Sequence, residues 1–261
     1  WLATAALTGV TVLVVVPIVG VLLFLIVRGL PGLSLRFLVE APRVGLTAGG
    51  VGPALLGTII LTVGTAIAAV PLAIAAAIYL AEYAPDNWLT AMVRLAIVNL
   101  AGIPSIVYGL FGLAVFVHFM GAGTSILAGS LTLGLLTLPV VISTSEEALV
   151  AVPREFRRTS LSLGATQWQT IRHQVLPHAT PGILTGVILF TVAAVYLPDV
   201  PHSVLDQTMA LPYHLYVVST QIPDVPIDVQ YATALLLLLL VLTMTVVASA
   251  IRSVMRRRRE W

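Results

Sequence analysis

VAVPREFRRTSLSLGATQWQTIRHQVLPHATP, residues Val150–Pro181, is a polar island in a chain that is 59% hydrophobic and only 9% charged. Four of the thirteen basic residues, Arg154, Arg157, Arg158 and Arg172, fall inside it, and long apolar runs flank it on both sides. Charge at this density is expelled from hydrocarbon. The island therefore interrupts a membrane domain and faces something outside the bilayer.

The flanks define the class. A mean hydropathy of +1.05 over 261 residues exceeds what one soluble core requires, and apolar runs of about 20 residues match the hydrocarbon thickness of a bilayer. The runs are continuous Leu, Val, Ile and Ala rather than alternating, which favours helices that satisfy their own backbone over a barrel. The expected fold is all-α and polytopic, a single helical membrane domain.

Leu2–Val27 is too long for a signal-peptide core and has no basic region before it, so it reads as a retained first span over residues 1–28. The opening at Trp1 rather than Met raises the expectation of a short cytoplasmic start ahead of it. Residues 29–52 form a Gly/Pro-rich external connection, with a short interfacial helix near Leu33–Val39. Five further spans occupy 53–251: Pro53–Tyr83, Leu95–Met120 as one hydrophobic helix containing Gly102, Pro104, Gly109 and Gly112, Ser125–Ser143, Gly182–Leu197 and Tyr231–Ile251. The island 150–181 and a polar connection Pro198–Gln230 lie between them, and a basic tail, 252–261, closes the chain.

Arginines near span ends stay cytoplasmic. Six spans with the tail inside put ten of the thirteen arginines inside, including Arg94 and the island, and leave Arg28, Arg36 and Arg43 outside. Pro198–Gln230 holds four aspartates and no basic residue, as an external loop should.

Composition also excludes chemistries. There is no cysteine for disulfides, thiolates or iron–sulfur ligation, and all basic residues are Arg, leaving no lysine nucleophile. A net charge of +2 is too small to imply nucleic acid as a partner. No G-x-x-x-x-G-K-[ST] loop exists, so energy from ATP must come through a partner. His118 and His214 lack neighbours at metal-ligand spacing and read as interfacial or packing residues. Glu146 and Glu147 are adjacent, cannot converge as an acid–base pair from one helix, and read as solvated helix-end residues. Ser105, Tyr108, Thr137 and Ser143, in the third and fourth spans, are candidates for lining a translocation path; the alternative is that each bonds back to its own helix or a neighbour.

Within the island, Pro153 can open a helix that runs to about Leu163. Gly164 is placed to stop it in left-handed geometry. Thr166 and Gln169 form a T-x-x-Q capping box for a second helix, with Trp168, Ile171, Val175 and Leu176 on one side and a stop at Pro177. Two short helices joined by a tight glycine make a knob rather than a flexible linker.

Ser160–Pro177, SLSLGATQWQTIRHQVLP, resembles the EAA loop of ABC-importer permeases, in which Glu-Ala-Ala precedes a Gly and a later Leu-Pro. AIYLAEYAPDN (Ala77–Asn87), AGIPSIVYGLFGLAVFV (Ala101–Val117), LTLGLLTLPVVISTSEEALVAVP (Leu131–Pro153), LGATQWQTIRHQVLPHATPGILTGVIL (Leu163–Leu189) and MALPYHLY (Met209–Tyr216) extend the likeness toward the PstA-type phosphate-importer permeases. The resemblance implies six helices, a second permease of related fold, two ATPase subunits that hold ATP and Mg, an external phosphate-binding protein, and no cofactor on this chain. It places the chain in a prokaryotic plasma membrane with its C-terminus cytoplasmic.

By position, Arg158, Thr159 and Ser160 stand for Glu-Ala-Ala and Gly164 for the loop glycine; Arg157, Ala165 and Thr166 complete the implied coupling segment. Two departures stand out. Arg158 is basic where the family is acidic, and Phe190–Pro201 reads FTVAAVYLPDVP where PstA-type chains continue with an Arg segment and Gly-Glu-Thr-Ala-Pro. The second departure keeps another oxyanion or small solute, or a non-transporting membrane scaffold, as alternatives.

Overall fold

The computed structural model describes residues 1–188 and 200–257, and those residues are helical almost throughout. Helix α1 (Leu2–Gly29) is apolar all round and is largely unburied by the rest of the chain, as a helix turned to lipid or to another subunit requires. The expected interfacial helix is α2 (Leu35–Val39), capped by Ser34, whose Oγ accepts from Phe37 N at 3.1 Å. A two-residue hairpin follows, β1 (Pro42–Arg43) antiparallel to β2 (Ala48–Gly49).

Helix α3 (Gly52–Ile78) starts with Pro53, where a missing N–H leaves nothing unpaired. Its buried row, Ala54, Thr58, Leu61, Thr65, Ala69, Ala73 and Ala77, repeats at near-helical spacing and is mostly small. Small side chains let helix backbones approach closely in lipid, where hydrophobicity alone does not drive association. Along α6 (Ile126–Val150) the match is direct: a Cβ on Gly134 would sit 3.4 Å from Ala68 Cβ, and Ala73 packs with Val141 and Ile142. A wide π turn, Tyr79–Tyr83, finishes α3.

The third expected span is broken. Helix α4 (Trp88–Ala101), capped by Asn87 Oδ1 accepting from Thr90 N at 2.9 Å, is bent by 97° from α5 (Ser105–Gly112), which continues through a π segment to Phe119. Pro104 has no N–H and bars the residue before it from the helical region, so the chain cannot carry one ladder through Gly102–Pro104. The helix of the fourth expected span continues past Ser143: α6 runs through Pro139 to Val150. Glu146 is not solvated as expected but pairs with Arg94 Nε at 2.7 Å, since the longer helix carries it beneath α4.

The island folds as α7 (Arg154–Ser162) and α8 (Gln167–Thr170). The expected stop at Pro177 does not occur. A π turn over Ile171–Val175 leads straight into α9 (Leu176–Ile188), and this wide turn resets the ladder so that Pro177 falls in a fresh first turn. The fifth expected span is thus described only to Ile188; its remainder, with most of the FTVAAVYLPDVP departure, lies outside the described residues.

The connection expected to be a polar loop contains a helix with one buried face, α10 (Leu211–Thr220). Asp206 sits in a turn, where its Oδ2 accepts from His202 N and Ser203 N at 2.8 Å each, and Asp224 in another, while MALPYHLYVV is apolar enough to pack. Met209, Leu211 and Val218 join Phe37, Val51 and Ala54 in one cluster with Ala232 of α11 (Ile227–Arg257). His214 is buried there at 2% exposure. This cluster marks a hairpin end of the bundle, opposite the knob end formed by α7 and α8. Four helices are long and apolar enough to cross a membrane, and the bent α4–α5 pair makes a fifth candidate among the described residues.

Candidate functional site

The knob is stiffened at each joint the sequence pointed to. Gly164 takes φ +85°, a left-handed conformation that costs a side chain-bearing residue about 1–2 kcal/mol. The capping box is reciprocal: Thr166 N donates to Gln169 Oε1 at 2.8 Å, and Gln169 N donates to Thr166 Oγ1 at 3.2 Å. The hydroxyls of Ser160 and Thr170 lie 2.9 Å apart across the two arms, and the Phe156 ring rests 4.7 Å from that of His178.

Between the arms lies a groove of ≈ 400 Å³ lined by Phe156, Thr159, Ser160, Leu163, Ala165 and Gln174 together with Glu155. Of the residues named from the sequence, it gathers Thr159, Ser160 and Ala165; Arg158 and Thr166 are exposed beside it. Leu163 is 84% exposed and Trp168 52%. Trp168 thus stands apart from Ile171, which is buried, and from Val175, which is buried in one cluster with Ala77 and Leu149. An apolar rim on an otherwise basic projection is the composition of a docking surface.

Arg157 faces the opposite way. Its Nη2 meets Glu82 Oε1 at 2.7 Å and its Nε the same oxygen at 3.0 Å. Nη1 donates to Val152 O at 2.7 Å and Nη2 to Leu149 O at 2.8 Å. Gln167 Nε2 adds a bond to Glu82 O at 2.8 Å. Glu82 is the residue that sequence reading missed. It lies 75 positions before Arg157, and its only local signal was an acid at the end of an apolar span.

The membrane hydroxyls divide. Thr137 donates to Gly134 O and Ser143 to Pro139 O, both at 3.0 Å, so each is engaged by its own helix. Tyr108 OH reaches across the α4–α5 break to Leu100 O at 3.0 Å. Ser105 and Tyr108 line a concavity of ≈ 520 Å³ between α5 and α6 that neither Thr137 nor Ser143 enters.

Valine at Gly164 should strain the turn without touching any span, since a Cβ there meets no atom within 4 Å. The expected result is normal membrane insertion with weakened binding of any subunit that docks on the knob, read by co-purification; undiminished co-purification would remove the knob as a docking element.

These features can be set beside known proteins. The family model for binding-protein-dependent transport system inner membrane components matches residues 69–261, from the middle of α3 through the knob to the end of the chain. The phosphate transport system permease protein PstA 1 of Mycobacterium tuberculosis (strain CDC 1551 / Oshkosh) is 35% identical over 224 residues, which cover 81% of this chain and 73% of that protein. The probable ABC transporter permease protein YqgI of Bacillus subtilis (strain 168) is 35% identical over 172 residues, 66% of this chain. The chain spans 58% of YqgI, and 47% of YqgH from the same organism. In fold, it is similar to a chain of the MetNI methionine ABC transporter in an inward-facing conformation, with a TM-score of 0.60 and 18% identity over 79% of this chain and 94% of that one. With the family model covering the knob, its anchor and most of the bundle, the chain belongs to the binding-protein-dependent transport system inner membrane components.

Proposed function

We propose that this chain is a transmembrane subunit of an ATP-driven importer that moves inorganic phosphate delivered by an external binding protein. The single observation that carries the reading is the rigid, apolar-rimmed knob at one end of an apolar bundle, which suits a socket in a partner subunit; likeness to PstA-type permeases supports the cargo. The arginine distribution supports a cytoplasmic knob and C-terminus in a prokaryotic inner membrane, with the hairpin end outside. The partners are a second, related but different permease chain, two ATPase subunits carrying ATP and Mg, the external phosphate-binding protein, and surrounding lipid. Closure of the ATPase pair displaces the knob and turns the spans from inward to outward access.

Arg158 gives one part of this contact a reversed sign. It is exposed and presents a cation where the family presents a carboxylate, so its counterpart on the ATPase is neutral or acidic. An exposed pair of this kind contributes about 1 kcal/mol or less, and the apolar rim holds most of the contact.

The test is reconstitution of the assembled complex and measurement of ATP hydrolysis with phosphate-loaded binding protein, the expected result being stimulation with phosphate uptake. FTVAAVYLPDVP in place of the family's Arg and Gly-Glu-Thr-Ala-Pro segment favours a second reading, an importer of another oxyanion or small solute. Stimulation by a different anion alone would establish that reading, and ATPase binding without uptake of any solute would make the chain a scaffold.

A further inference from the structure

One place where the knob meets the bundle is the π turn Tyr79–Tyr83 at the end of α3. The last carbonyls of a helix have no partner within it. Here two of them are filled from other helices: Leu80 O accepts from Arg94 Nη2 of α4 at 2.9 Å, and Glu82 O accepts from Gln167 Nε2 of α8 at 2.8 Å. The Glu82 carboxylate receives Arg157 of α7.

The same two arginines also grip the end of α6. Arg94 pairs with Glu146, and Arg157 donates to Leu149 O and Val152 O, where a cation is favoured by the helix dipole. Each guanidinium therefore bridges α3 to α6, and the Arg157 bridge alone also holds the knob. Its side chain is 19% exposed and that of Glu82 9%, so water screens the pair weakly. Withdrawing one partner leaves a largely buried charge alone, which is strongly unfavourable. Lysine would not reproduce the contact, because its donors all sit on one nitrogen, whereas the carboxylate and the two carbonyls are met here by three separate nitrogens of the guanidinium fork.

We propose that the π turn Tyr79–Tyr83 is the joint that transmits knob motion to the spans, with Glu82 as its positioning residue, so that α7, the end of α3 and the end of α6 move as one body. The direction of drive rests on the function proposed above; the mechanical linkage does not. In the assembled importer, loss of the joint leaves the knob able to dock while its displacement no longer carries α3 and α6.

Two measurements separate these layers. In the full chain in lipid nanodiscs, spin labels at Leu163→Cys and Trp88→Cys, both exposed positions in a chain free of native cysteine, should give one narrow distance distribution. Glu82→Gln, which keeps the shape but not the charge, should broaden it; an unchanged distribution overturns the joint, whatever the chain transports. In the reconstituted complex, Glu82→Cys/Arg157→Cys should lower stimulation by loaded binding protein about tenfold, the scale of one lost charge-assisted contact. A bifunctional maleimide bridging the two thiols should restore it, as a residue needed only for folding would not permit. Full stimulation without the bridge, or none with it, overturns transmission through Glu82. If the native complex itself shows no stimulation, the functional reading fails and the distance measurement still decides the joint.

Discussion

Valine at Gly57 is expected to unseat α10 from the bundle and remove about 3 kcal/mol of stability, the upper range for forced overpacking. A Cβ at this position overlaps the carbonyl oxygen of Met209 and the hydroxyl of Thr208. Met209 and Leu211 are fully buried and Ala210 nearly so, so the segment has no open space to move into. It is also tied by a hydrogen bond from Leu211 N to Thr58 Oγ1 at 2.8 Å, which a small shift of the segment would break. Alanine should already produce most of the loss, because the first carbon makes the clash. Gly109→Ala is the control, since a Cβ there meets nothing within 4 Å. Thermal unfolding in detergent should show a large decrease for Gly57→Val and little change for Gly109→Ala; comparable midpoints for the two would contradict the close approach.

Acidification is expected to weaken the same cluster through His214. The imidazole is 2% exposed, with Nδ1 3.2 Å from Met209 Sδ, and burial lowers its pKa from 6.5 to about 4. The folded chain thus refuses a proton that the unfolded chain accepts across that interval. Stability is complete above about pH 6.5 and declines as the pH falls toward 4, by about 2 kcal/mol at pH 5. His214→Gln should flatten this dependence even if it lowers stability at pH 7.5. Midpoints compared at pH 7.5 and 5.0 provide the check, and an equally steep decline in wild type and variant would assign the acid sensitivity elsewhere.

The knob was legible in detail because its determinants are local. A glycine that must turn left-handed and a Thr166–Gln169 box each act within about four residues, and each has the expected geometry; the helix expected to open at Pro153 begins one residue later, at Arg154, with Pro153 as its extended N-cap. Pro177 misled because a proline's effect depends on the hydrogen-bond ladder it meets. The π turn before it moves that ladder on by one residue, and no periodic pattern announces the shift. The single helix expected over Leu95–Met120 failed for a related reason: apolar composition says that a stretch prefers lipid, not that its axis stays straight. Glu82, Glu146 and α10 were hidden because their partners are remote, at Arg157, Arg94 and Thr58.

By itself, the amino-acid sequence determined that the chain carries helices apolar enough to cross a membrane, and that two short helices, the second opened by a Thr166–Gln169 capping box, meet at Gly164. Those outcomes follow from transfer free energies and short-range backbone preferences, which need no knowledge of the rest of the molecule. Tertiary structure alone decided that Arg157 turns inward rather than toward a partner, that the end of α3 receives the knob, and that α10 is packed rather than solvated. A buried charge takes its position from whichever counter-charge and free carbonyls the fold brings within reach, and that proximity exists only once α3, α6 and α7 have met.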